Sequence, residues 1–308
     1  MRFRPAPASL DWLLILPLVL ADAVLLFTGP LRLVWRPEAI ILLAVLILAG
    51  VGWLYGRVRH IPRLAHMAHA GCLIVLFTNV AALFNYLLDV LDPAPLWDAK
   101  FDALDRALGL NWLELFNWVT AHPRLYGASN VLYGVLGPEL VILLLLLEGL
   151  GQHERALQLR HGFCVSALVT IIIGVLMPAA GPFAFYHLPV ANQTGYVLQF
   201  AALRDGTLHL IDLGNAQGLI CFPSFHATLA ALCAYAACAV RWLFWPGLLF
   251  NALIICTAPV SGGHYFVDVA AGLALAAAVI LLRQYAGVRL GWAAAQPSYQ
   301  LAEEGRSA

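Results

Sequence analysis

Phe222-Pro223-Ser224-Phe225-His226 opens one apolar run of the chain, and Gly262-Gly263-His264-Tyr265-Phe266-Val267-Asp268 opens another. Each sets a histidine at the mouth of a stretch long enough to be a buried helix, so the reading of these two runs decides the fold. The second motif adds an aspartate four residues after its histidine. Positions i and i+4 share a helix face, so Asp268 is expected to accept a hydrogen bond from His264 and set its tautomer. An imidazole oriented in this way can act as a nucleophile, and a second histidine opposite can serve as general acid.

The chain around these motifs is 62% hydrophobic and only 11% charged, far from the about 25% charged residues of soluble domains. Apolar runs of about 18–20 residues, enough to cross ~30 Å of hydrocarbon, recur along it. Eight spans are predicted, at about 11–28, 38–55, 68–91, 125–149, 161–178, 223–240, 242–258 and 265–282. The fold class is therefore all-α: a polytopic membrane helix bundle of about eight transmembrane helices. Met1-Arg2-Phe3-Arg4 precedes an apolar run that continues to Thr28, past Ala21-Asp22-Ala23 where a signal-peptide cut would fall. The first span is read as uncleaved.

Two segments do not span. Residues 96–120 put Trp97, Phe101, Leu104 and Leu108 on one helical face and Asp98, Asp102, Asp105 and Arg106 elsewhere. That pattern predicts an amphipathic helix lying in the membrane interface. Residues 179–217 join the fifth and sixth spans and hold Arg204, Asp205, His209 and Asp212. The chain divides into N-terminal transmembrane helices (1–92), a catalytic membrane domain (93–285) and a cytoplasmic tail (286–308). In the C-terminal half, Arg155, Arg160, Arg241, Arg283 and Arg289 stand against Arg204 across the membrane. The basic-residue bias puts both termini in the cytoplasm of a bacterial-type inner or plasma membrane, with both histidine motifs on the external face.

Net charge is zero, so there is no electrostatic case for a nucleic acid partner; the expected partners are membrane lipids as substrates. Of the six cysteines, all but Cys221 lie within apolar stretches, where thiols serve as small core groups. No Cys-x-x-Cys or Cys/His ligand spacing is present, which predicts neither a zinc site nor a disulfide frame. Neither metal nor cofactor is expected.

Pro223 suits the first turn of a helix, where its missing N–H has no intrahelical partner to lose. The N–H groups after it and the helix dipole can dock a phosphate, with the Ser224 hydroxyl as a further donor. Gly262 and Gly263 let the backbone approach a ligand closely. Among other polar residues, Glu139 after Pro138 is read as a hydrogen-bonded structural group beside a proline kink. Tyr133 is read as an interhelical hydrogen-bonding residue that could also line a headgroup pocket. His60, His66, His69, His153 and His161 fall on the cytoplasmic side, away from the motifs.

Pro-Ser-x-His at 223–226, followed by Gly-His-Tyr-x-x-Asp at 263–268, resembles the type-2 phosphatidic acid phosphatase superfamily. The fuller strings resemble its branch of inositol phosphorylceramide and sphingomyelin synthases. So do Leu203-Arg204-Asp205-Gly206 upstream of Gly218, and Pro178-Ala179-Ala180-Gly181-Pro182. The likeness runs from about Asp98 to Arg283. It implies that His264 forms a phosphohistidine, that Asp268 orients and charges it, and that His226 protonates the leaving oxygen. The chain departs from the superfamily's phosphatases in two ways. It has no Lys-x6-Arg-Pro, and Thr257 and Ala258 stand where Ser-Arg precedes the nucleophile. A pentacovalent phosphate still needs positive charge or donors. Arg204, the basic residue between the fifth and sixth spans, is the first choice, with Ser224 and Gly263 as further phosphate-binding residues. Lys100, Arg106 and Arg124 are other external cations.

The resemblance implies a phosphoryl-transfer enzyme on lipid phosphoesters, moving an inositol-phosphate type of headgroup to a lipid hydroxyl. The alternative is a lipid phosphate phosphatase acting on substrates like phosphatidic acid. A reading from another class, a non-enzymatic transporter, would call for inverted repeats with broken helices in matching halves, and the sequence has no such symmetry.

Overall fold

A backbone inside hydrocarbon must satisfy its own N–H and C=O groups, so long apolar runs become helices. The computed structural model describes residues 9–91, 94–188 and 194–289. Along the chain, α1 (Ser9–Thr28), α2 (Trp35–Trp53, prolonged by a π-helical turn Leu54–Val58) and α3 (Pro62–Asp89) form the N-terminal part. Two short helices follow, α4 (Asp98–Ala107) and α5 (Trp112–Thr120), then α6 (Pro123–Gly134), α7 (Leu136–Gly149) and α8 (His153–Leu176). The short α9 (Pro182–Phe185) and α10 (Thr194–Arg204) lead into α11 (Phe225–Ala237), α12 (Phe244–Ser261) and α13 (Phe266–Arg289). A two-residue parallel pairing of Arg32–Leu33 with Leu210–Ile211 ties the α1–α2 loop to the segment before α11.

The all-α membrane bundle is borne out. Among the described residues, six helices are long and apolar enough to cross a membrane, or seven if α6 and α7 count as one bent span. The predicted fourth span breaks by 44° between α6 and α7; Pro138 sits in the first turn of α7, where a missing N–H is tolerated. The predicted sixth span shortens to the 13 residues of α11, about 20 Å of rise. Ser224 caps its start, and turns at 238–243 end it. The stretch assigned to the tail begins inside α13, which runs to Arg289; residues 290–308 and the 92/93 boundary lie outside the described residues.

The interfacial helix is corrected twice. Residues 96–120 form two helices, because Gly109 takes a positive φ of 75° and Asn111 starts a new helix by accepting the Glu114 N–H. The faces of α4 are also reversed. Leu104 and Leu108 point outward, while Asp98 and Asp105 are buried beside Phe101. Residues 98, 101 and 105 share a helix face at i, i+3 and i+7, and that face covers the site described below.

Short α11 lies at the centre, against α7, α8, α12 and α13. Its buried face is built of small residues, Ala227, Ala230, Cys233, Ala236 and Ala237, which let neighbouring backbones come close. Leu229 and Leu232 join Phe77 of α3, Leu140 and Leu144 of α7, and Phe163 of α8 in the main apolar cluster. At the far end of α8 from this site, Asp11 of α1 receives two hydrogen bonds from Arg160 (2.7 and 3.2 Å), and Arg283 of α13 donates to His161 (3.0 Å).

Candidate active site

The first turns of α11 and α13 are bonded to each other. The Ser224 N–H donates to the Asp268 carbonyl (3.0 Å), and the Thr228 hydroxyl donates to the Gly272 carbonyl (2.9 Å). His226 is the second residue of α11, and His264 stands two residues before α13. Side-by-side helix starts therefore bring together two histidines that are 38 positions apart in sequence.

His264 is buried, and its Nδ1 donates to the Cys221 carbonyl at 2.9 Å. Asp268 Oδ2 lies 3.7 Å from the same nitrogen, beyond hydrogen-bond range. The expected aspartate–histidine hydrogen bond is thus replaced by one to a main-chain carbonyl, with the carboxylate kept as a nearby charge. A carbonyl can only accept, so Nδ1 carries the proton and Nε2 is left for chemistry. Asp268 Oδ2 instead accepts the Tyr265 N–H (2.8 Å) and the Cys221 thiol (3.0 Å). The first bond is the reach-back of a helix N3 residue to the start of its own helix. Burial pushes the Cys221 thiol up, which keeps it a protonated donor. Cys221, His264 and Asp268 offer ligand atoms within 4.8 Å of one another. The hydrogen bonds among them account for that closeness, and a cation there would have to displace them.

Tyr133, at the C-terminal end of α6, holds the other histidine. Its ring stacks on His226 with centroids 3.8 Å apart, and its hydroxyl is 2.9 Å from Nδ1. The same hydroxyl would lie 2.6 Å from a Cβ built on Gly262. Tyr133 therefore fills the space between His226 and the turn before His264. Gly263 has a φ of +63°, and a Cβ there would meet the Phe183 ring at 2.2 Å. The glycine pair thus makes room for the protein's own rings, a role the sequence reading assigned to a ligand.

Two buried carboxylates of α4 hold the loops in place. Asp98 accepts the N–H groups of Ala180 (2.9 Å) and Gly181 (2.8 Å) and the Tyr265 hydroxyl (3.0 Å). Asp105 accepts the N–H groups of Phe266 (2.7 Å) and Val267 (2.9 Å), the first two of α13. Those donors are consumed by the protein and are closed to a phosphate. At α11, Ser224 is buried and uses its hydroxyl oxygen to accept the Ala227 N–H (3.3 Å). Pro223 lies just before that cap rather than in the first turn.

The model of the PAP2 superfamily matches residues 99–282. The chain belongs to the PAP2 superfamily. The matched region of this PAP2 protein includes both histidine motifs, Asp105 and Tyr133, and leaves out α1 to α3. No curated protein and no solved structure matches the chain. Superfamily membership brings phosphatase or phosphotransferase chemistry on lipid phosphoesters, in an integral membrane protein.

Of the residues singled out in the sequence, His226, His264, Asp268, Ser224 and Gly263 are gathered here. Arg204, at the end of α10, donates to the Ala94 carbonyl, and its guanidinium lies 5.7 Å from the Phe200 ring centroid. Glu139 accepts a hydrogen bond from Asn251 of α12 (2.7 Å). Asp98, Asp105, Cys221 and the role of Tyr133 escaped the sequence reading. One signal was available: two aspartates seven apart on one face of α4.

Proposed function

We propose that the protein is a headgroup phosphotransferase that passes through a phosphohistidine on His264. In this reading His264 Nε2 attacks phosphorus, and Asp268, 3.7 Å from Nδ1, stabilises the positive charge that develops on the ring. His226 protonates the departing oxygen. The charged ring carries a proton on both nitrogens. Giving up Nε2–H leaves the neutral Nδ1–H tautomer, whose proton the Tyr133 oxygen 2.9 Å away can accept, and frees Nε2 to act as base. A lipid hydroxyl then attacks the phosphohistidine, with His226 taking back the proton. The carrying observation is the pair of bonded helix starts that sets both histidines at one site.

Headgroup transfer, of the inositol-phosphate type, is favoured over hydrolysis by the resemblance of the motif strings to those of inositol phosphorylceramide synthases. The missing phosphatase cations point the same way. Arg204 is assigned to the substrate phosphate or headgroup, with Ser224 and Gly263 shaping the pocket edge. The test is the product pattern of purified protein. Phosphatidylinositol with ceramide or diacylglycerol is expected to give headgroup transfer; release of inorganic phosphate from phosphatidic acid, with no transfer, would make it a phosphatase.

A further inference from the structure

We propose that His66, Glu148 and His153 form a binding site for a divalent transition-metal ion of the zinc type, remote from the phosphoryl-transfer site. His66 lies near the start of α3, Glu148 near the end of α7, and His153 is the first residue of α8. The 24 residues of α8, about 36 Å of helix, separate His153 from the end that leads to the Pro178–Gly181 loop. The cluster is therefore at the opposite end of the bundle from His264.

The Glu148 carboxylate is only 1% exposed, and both its oxygens face His153 Nδ1, at 2.8 and 3.0 Å. Its Oε2 also lies 3.7 Å from His66 Nδ1. The two imidazoles stack with centroids 4.1 Å apart. One ligand atom from each residue falls within 4.8 Å of the others. Two imidazole nitrogens and one carboxylate oxygen form a donor set suited to zinc, whereas calcium and magnesium take oxygen ligands. The geometry needs the Nε2–H tautomer at His153 and a turn of the His66 ring, so that both Nδ1 lone pairs converge on the ion. His66 has room for this, with 45% of its side chain exposed. His153 is 37% exposed, which opens a path for the ion and for a water as fourth ligand. Nearby Arg160 is already paired with Asp11.

Such an ion would staple α3, which lies outside the superfamily match, to the α7–α8 turn inside it. A proton shared by His153 and Glu148 is the competing occupant, and metal titration separates the two. Co2+ added to the untagged, full-length protein in detergent is expected to give tetrahedral visible absorption saturating at one equivalent. Zn2+ is expected to bleach that absorption and to raise the thermal midpoint. His66→Ala and His153→Ala should each weaken binding at least about tenfold, since losing a ligand costs no less than losing its outer-shell partner. Cys221→Ser should leave binding unchanged, excluding the cluster beside His264. His66→Ala keeps the test valid should Glu148→Gln fail to fold. A wild-type protein without the absorption, or histidine variants that bind Co2+ as tightly as wild type, would overturn the proposal.

Discussion

His264 Nδ1 hydrogen-bonds to the main-chain carbonyl of Cys221 at 2.9 Å. Asp268, the acid four residues on and inside α13, stops 3.7 Å short of that nitrogen. Orientation and charge compensation of one imidazole are thus divided between two groups. A backbone carbonyl fixes the tautomer and cannot be removed by side-chain substitution. The carboxylate contributes its field and braces the loop through Tyr265 and Cys221.

This division makes Asp268→Asn informative. The substitution keeps the shape but removes the charge, while Cys221 still holds Nδ1–H. Turnover is expected to fall about 10²–10⁴-fold with the protein still folded. Cys221→Ser, which retains both the carbonyl and a donor to Asp268, should stay close to wild type. Equal losses in the two variants, measured as kcat with the preferred lipid donor, would assign Asp268 a purely structural role.

A covalent intermediate is expected on His264. Brief exposure to phosphorus-labelled substrate should give an acid-labile, base-stable adduct that disappears in His264→Ala. In His226→Ala the adduct should still form when the leaving group is good, since the acid assists departure rather than attack. Undiminished labelling of His264→Ala would remove the mechanism.

Tyr133→Phe keeps the ring stacked on His226 but deletes the hydroxyl 2.9 Å from Nδ1. If that hydroxyl positions the general acid, the loss should be about tenfold or more on substrates with poor leaving groups. It should shrink on activated esters such as a p-nitrophenyl phosphodiester. A loss of the same size on both substrates would mean that Tyr133 only packs.

For Arg204, replacement by Lys should be poorly tolerated, because a point charge does not reproduce a planar fork on phosphate. A fully active Arg204→Ala enzyme would transfer the role to Lys100, Arg106 or Arg124. Gly263→Ala should cost at least about 2 kcal/mol through its left-handed φ and the approach of Phe183, read as a lowered denaturation midpoint in detergent.

Sidedness is testable with thiol labelling. With both termini proposed to be cytoplasmic, a cysteine replacing exposed Gln217 should react with an impermeant reagent in intact cells. One replacing exposed Gln284 should react only after permeabilisation. Exposed Cys238 and Cys256 must be removed first, whereas Cys221 is buried. The reverse pattern would put the site in the cytoplasm.

Composition and local spacing alone determined the membrane bundle, the two helix starts that carry the histidines and the nearness of Asp268 to His264, though not a shared helix face, since His264 precedes α13. These follow from hydrocarbon thickness and from 3.6 residues per turn, both legible in a single segment. Docking decided the rest. The partner of His264 is 43 residues away in sequence and that of His226 is 93; neither separation is encoded in any periodicity. The aspartates of α4 turn inward because the 180–181 loop and the start of α13 present bare N–H groups there. A buried donor must find an acceptor, and an amphipathic pattern read in isolation assigns those carboxylates to water.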